Sequence, residues 1–271
     1  MSEAAIAETP PAAASTLRVA VVGHSHIAAL MQGHAKWREA SETATVGFVP
    51  LHNPEYRPPL LAGALNPRVG QAIVEREPDA VLSCVGGNEH NVLGLLNHPV
   101  PFDFILPEEP DLPLNQIVDL IPAKIVEIWL QTSLERMTFR LLGAVRQCVQ
   151  VPVFHLESPP PIPSDEFIRS RPEAAFEDKI GELGVAPAML RYKLWRLRNF
   201  LVRNFVARIG VGYVSAPKDM QDEHGMLLEA GWHNSTHANS AFGEQALKKA
   251  VQQIRTRLSE RVPTNASAAN G

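Results

Sequence analysis

Three short stretches of this chain carry residue types that, brought together, could perform acyl transfer. They are Gly23-His24-Ser25-His26, Gly86-Gly87-Asn88 and Asn234-Ser235-Thr236-His237. A serine hydroxyl becomes a nucleophile when a base takes its proton. Histidine suits that work because its pKa lies near neutrality. An amide side chain beside glycine N–H groups supplies donors for a tetrahedral oxyanion. Each stretch also has a plain structural role. Ser25 could cap a helix, the paired glycines could close a strand with Asn88 capping the next segment, and His237 is one of ten histidines. Order and spacing, rather than any single stretch, carry the chemistry.

The elements that must hold these residues follow from the apolar pattern. Leu17–Val22, Thr43–Pro50, Ala80–Val85, Val151–Leu156 and Val211–Ser215 are short apolar runs that read as buried parallel strands. Pro152 marks the fourth strand's first residue, since proline is excluded from a central strand's interior. Helical spacing predicts helices over Ser25–Ala40, Val69–Arg76, Pro187–Ile209 and Asn239–Arg257. Residues 117–150 read as mostly helical, with a restart at Pro122. This alternation predicts a three-layer α/β/α fold with a five-stranded parallel, flavodoxin-like sheet. The first two chemical stretches then leave the carboxyl edge of strands, where open α/β sheets bind ligands. Residues 91–115 and 157–186 are long connections from that same edge, and such loops are usually functional.

Composition narrows the partners. The 271 residues are 45% apolar and 20% charged, enough for a core without disulfides or metal. A net charge of −4, with both signs interspersed, gives no electrostatic case for nucleic acid or an anionic membrane. No apolar run reaches membrane-spanning length. Cys84 and Cys148 read as reduced buried thiols, which fits the cytoplasm. Residues 1–16 and 259–271 read as disordered tails flanking a domain over 17–258.

With order and spacing taken together, the chain resembles the SGNH hydrolase (GDSL-like esterase/lipase) superfamily. Val22-Gly23-His24-Ser25-His26 is similar to its Gly-Asp-Ser block, in a form like that of some carbohydrate O-acylation proteins. Gly86-Gly87-Asn88-Glu89 is similar to Gly-x-Asn-Asp, and Asn234-Ser235-Thr236-His237 to the closing Asp-x-x-His. The resemblance implies Ser25 as nucleophile and His237 as base. It implies an oxyanion hole of the Ser25 N–H, a glycine N–H (Gly87), the Asn88 amide and a further glycine, for which Gly63 is the candidate. His24, His26, Glu89 and His90 would line the substrate. Two positions depart from the pattern: His24 replaces an aspartate, and Asn234 replaces the aspartate that steadies the imidazolium. A Ser–His dyad would answer the second departure, as would a substitute carboxylate. Glu157 is the first choice on position, with Asp222 and Glu223 behind it.

The expected activity is hydrolysis of an ester, such as a small acyl or O-acetyl group on a carbohydrate or related metabolite, without a cofactor. Transfer to another hydroxyl would use the same residues. Two other readings stand beside it. His24, His26, Glu89, His90, His233 and His237 could hold zinc or manganese, and Gly87-Asn88-Glu89-His90 is similar to the Gly-Asn-His-Glu run of metallophosphoesterases, with its last two residues exchanged. A ligand-binding relative that has lost catalysis would account for His24 and Asn234. No dinucleotide-binding or Walker glycine motif is present.

Overall fold

The computed structural model describes residues 16–37 and 44–260. The expected tails lie outside these residues, apart from Thr16, Ser259 and Glu260. Five parallel strands form the central sheet: β1 (Leu17–Gly23), β2 (Ala44–Pro50), β3 (Ala80–Cys84), β4 (Val153–Leu156) and β5 (Gly212–Val214). Their order is β2-β1-β3-β4-β5, the flavodoxin-like order, which reverses direction at β1. Gly23 pairs with both Pro50 and Cys84, Ser83 with His155, and Leu156 with Val214. The strands therefore end close to one line, and the chain segments that follow them share one edge.

Alternating side chains of the strands feed two cores. Ala20, Val22, Val81 and Val153 face one layer, while Val19, Val21, Leu82 and Phe154 face the other. The first layer is α2 (Pro67–Val74), α4 (Ala123–Arg136), α5 (Thr138–Cys148) and α8 (Ala188–Arg208). The second is α1 (Ile27–Trp37) and α9 (Ser240–Ser259), extended by α6 (Asp165–Ser170) and α7 (Ala174–Leu183). Helix α3 (Glu89–Gly94) leaves β3 at the carboxyl edge. Helices α1 and α9 meet backbone to backbone. A Cβ on Gly33 would overlap the backbone at Gly243 and Glu244, and one on Gly243 would overlap the Ala29 carbonyl.

Several expectations need correction. Within 117–150 the helix starts at Pro122, which caps α4 as expected, but Asp119–Leu120 before it pairs with Phe102–Asp103 instead of being helical, and a further break falls at Met137. Met137 has φ −137° and ψ −58°, outside helical geometry, and divides two helices that both bury apolar faces. Cys148 is exposed rather than buried, because it ends α5 at the amino side of the sheet. Helix α8 is buried on its charged face as well as its apolar one: Arg191, Lys193 and Arg198 are almost wholly enclosed. The connection over 91–115 wraps that face. Lys193 Nζ bonds both oxygens of Asp103, at 2.9 and 3.0 Å, and the Pro113 carbonyl at 2.8 Å.

Candidate active site

Ser25 is exposed in the turn from β1 into α1. The His24 carbonyl accepts from the Ile27 N–H and the Ser25 carbonyl from the Ala28 N–H, both at 3.1 Å, so α1 begins directly beneath the hydroxyl. The histidines on either side reach the other two stretches. His24 Nδ1 accepts from the Gly86 N–H at 3.5 Å. The His26 ring centroid lies 5.1 Å from that of His237. It also fills the space beside Gly87, where a Cβ would meet it at 2.7 Å. With φ at +105° as well, Gly87 admits only glycine. The three stretches singled out in the sequence thus converge on residues 24–26.

Ser25, His52, His233, Asn234 and His237 line one open cavity of about 330 Å³. Within it, the orientation of His237 follows from hydrogen-bond accounting. Asn234 Oδ1 accepts from two backbone N–H groups, those of Thr236 at 3.1 Å and His237 at 2.9 Å. These donors identify that atom as the amide oxygen. It lies 3.1 Å from His237 Nδ1, so Nδ1 carries the proton and Nε2 is left with its lone pair. Asn234 thus sets the tautomer and ring orientation that an aspartate would, without the negative charge. Burial holds the His237 pKa below its ordinary value; Glu173 opposes this and His233 adds to it. Thr236 Oγ1 bonds a Glu173 carboxylate oxygen and lies 3.0 Å from His237 Nδ1.

Asn88 heads α3. Its Oδ1 accepts from Asn91 Nδ2 at 2.7 Å, and its own Nδ2 has no acceptor among the described residues. An amide held by its oxygen, with its donors uncommitted, is the arrangement an oxyanion requires. The glycines contribute less than expected. The Gly87 N–H donates to Glu89 Oε2 at 3.1 Å. Gly63 occupies the exposed turn of a small hairpin, Leu60–Leu61 against Ala64–Leu65. Its φ of +88° explains a glycine there without any ligand.

The four residues expected at the substrate, His24, His26, Glu89 and His90, do not line the cavity of Ser25 and His237. Glu89 instead bonds Arg198 Nε at 3.1 Å and the Thr138 hydroxyl, tying the glycine turn to α8 and α5. Burial alone would raise its pKa, but the Arg198 charge and these hydrogen bonds bring it down to about 2. His26 and His90 are buried neutral imidazoles. Burial, with the nearby Arg198 charge and, for His26, His237 adding to it, lowers each to about 3. His155 on β4 is a third, also at about 3. Glu157, the expected substitute carboxylate, is spent elsewhere: it accepts from Tyr213 Oη at 2.8 Å and the Ala216 N–H at 2.7 Å. Asp222 caps its own turn through the His224 and Met226 N–H groups, and Glu223 pairs with His224. Among the described residues, no three His, Cys, Asp or Glu side chains are grouped to hold a metal ion. With Glu89 drawn to Arg198, the ligand set of the metal reading does not assemble.

Sequence reasoning left Glu173, Arg198 and Thr138 out of the site. No local pattern marks them, and each arrives from a distant element. His52 was readable, because it follows β2 at the same sheet edge.

No protein-family model matches the chain, and neither does any curated protein. Solved structures similar to it include an extracellular lipase from Streptomyces rimosus, at 11% identity and TM-score 0.46, covering 88% of this chain and 99% of that one. A phospholipase A1 from Streptomyces albidoflavus is similar at 13% identity and TM-score 0.44, with the same coverage. A GDSL-like lipase from Bacteroides thetaiotaomicron is similar at 11% and 0.41, covering 89% and 88%. Likeness at this level assigns no residue of this chain a role.

Proposed function

We propose that this chain is an SGNH-type serine hydrolase that cleaves an ester through a covalent acyl-serine. The observation that carries the reading is the double backbone grip on Asn234 Oδ1. It fixes His237 with Nδ1 protonated and Nε2 free, in the cavity that Ser25 also lines.

In this mechanism Ser25 Oγ attacks the ester carbonyl carbon and passes its proton to His237 Nε2. The Ser25 N–H, at the start of α1, and Asn88 Nδ2 receive the oxyanion. The intermediate collapses with cleavage of the C–O bond, and the imidazolium protonates the departing alcohol. His237 then deprotonates water, which attacks the acyl-serine; the acid leaves and Ser25 regains its proton. A second alcohol in place of water gives acyl transfer with the same bookkeeping. The cavity of about 330 Å³ is mostly apolar, with His52, Gln32, His233 and Asn234 setting polar groups in its walls. Those walls suit a short acyl group on a polar alcohol, such as an O-acetylated carbohydrate or related metabolite. No helix among the described residues is long and apolar enough to cross a membrane, and the two cysteines are free. We assign a small-molecule ester as the partner and the cytoplasm as the location. A non-catalytic, ligand-binding form of the same fold is the second reading, favoured by the missing charge at Asn234.

The test is to treat wild type and Ser25→Ala with a fluorophosphonate probe and p-nitrophenyl acetate, with and without EDTA. The reading predicts labelling and turnover that require Ser25 and resist EDTA. Wild type that neither labels nor turns over would leave the ligand-binding form. EDTA-sensitive turnover that survives Ser25→Ala would sink the serine mechanism.

A further inference from the structure

The Asn234 amide orients His237 but contributes no charge when the imidazolium forms. We infer that Glu173 supplies this charge at one remove, through the Thr236 hydroxyl, as a positioning residue for His237. This rests on the serine-hydrolase reading above.

The direction of each hydrogen bond is forced. A carboxylate only accepts, so the Thr236 hydroxyl must give its single proton to Glu173 Oε2. The Thr236 oxygen can then only accept from His237 Nδ1, 3.0 Å away. The chain runs Nδ1–H to Oγ1–H to carboxylate, and it agrees with the tautomer that Asn234 imposes independently. Two further bonds hold the carboxylate's segment to the histidine loop. The Glu173 N–H donates to Ser235 Oγ at 2.9 Å, and the Ser235 N–H donates to the Arg171 carbonyl at 2.9 Å. Ser235 and Thr236 are buried and Glu173 is half-buried, so this contact is partly shielded from solvent. Glu173 is also the charge that acts to raise the His237 pKa against burial. Hydrogen bonds in a row polarise one another, so charge at the far end reaches the near one.

The groups that face His237 are Glu173 through Thr236, Asn234 and His233 in its own loop, His26 across the ring contact, His90 across a small pocket behind it and His52 across the open cavity. Only Glu173 among them is acidic. Its removal should therefore shift the titration of His237 downward, because the imidazolium loses its only anionic neighbour in that set.

The experiment follows the His237 titration by NMR and the pH dependence of p-nitrophenyl acetate hydrolysis in full-length wild type, Glu173→Gln, Glu173→Asp, Thr236→Val, Thr236→Ser and the Gln/Val double variant. In Glu173→Gln we expect kcat to fall about tenfold to a hundredfold with KM little changed, and the His237 midpoint to move to lower pH. Glu173→Asp and Thr236→Ser should recover much of both. The double variant should be no worse than Thr236→Val alone, since both cut one chain. An unchanged His237 midpoint in Glu173→Gln would overturn the inference, and so would fully multiplicative losses in the double variant. A shifted midpoint in a protein that hydrolyses nothing would sustain the coupling and refute the hydrolase reading instead.

Discussion

Two long excursions leave the same edge of the sheet, and they serve different ends. Residues 95–121 return along α8 and are latched there: Asp103 to Lys193, Glu109 to Tyr192 and Arg196, and Glu108 to Arg203. Residues 157–186 also touch α8, since Arg191 bonds Asp165 and the Ile162 and Pro163 carbonyls. They then go further. Pro159–Ile162 border His237, and Arg171 and Glu173 bond the loop that carries it. The first excursion closes a core and the second holds the His237 loop. Length and exit point were the same signal in both cases; the destination of the polar groups separates them.

The sharpest way to break this comparison is to cut each excursion at its strongest bond and read both stability and turnover. Lys193→Met leaves Asp103 buried without its cation. It should cost about 3–5 kcal/mol in urea unfolding, with turnover per folded molecule unchanged. Loss of turnover at full stability would mean that the 95–121 excursion reaches the site after all. On the other side, Asn88→Ala should lower kcat by about 10²–10³ and leave the urea midpoint within error.

Acid should loosen the ground beneath the site. His26, His90 and His155 have folded pKa values of about 3, below the ordinary value near 6.5. The unfolded chain therefore binds protons first, and stability is complete above pH ~6.5 and falls as pH drops toward about 3. Unfolding free energies measured across that interval should decline steadily, and His155→Gln should flatten the slope. A flat profile in wild type would contradict the burial of neutral imidazoles. The smallest effect belongs to the exposed part of the 95–121 excursion. Arg196→Ala, which removes a half-exposed pair with Glu109, should change stability by under ~1 kcal/mol.

Much of this arrangement was legible in the sequence, because it depends on local pattern. Leu17–Val22 and Ala80–Val85 are apolar runs broken only by Arg18 and Ser83, close to what strands buried on both faces require, and glycine follows each one. Ser25 and Asn88 are singled out by where such runs stop, and His237 by its place just before the last helix. What escaped depends on pairing between distant segments. Nothing local marks the charges of α8 for burial, and no local rule says that Lys193 meets Asp103 or that Arg198 meets Glu89. Glu89 was placed at the substrate for want of its partner. Glu173 lies in an ordinary run, Pro172-Glu173-Ala174-Ala175, and gains its place only when the 157–186 excursion folds over the histidine loop. Glu157 was sought as the missing acid because it leaves a strand at the right edge, but β5 arrives beside it with Tyr213 and the Ala216 N–H and takes both oxygens.

One contact on the far side of the sheet bears on all of this. Ser25 stands just ahead of α1 and His237 just ahead of α9, and those helices touch at Gly33 and Gly243 with no side chain between them. The crossing of these two helices is thus a common footing for the two segments, like the screw that sets both jaws of a vice. A methyl group at either glycine would act as a shim. On the serine-hydrolase reading proposed above, it would shift Ser25 relative to His237 without altering either one, and a folded variant that still admits its ligand would stall at the first proton transfer.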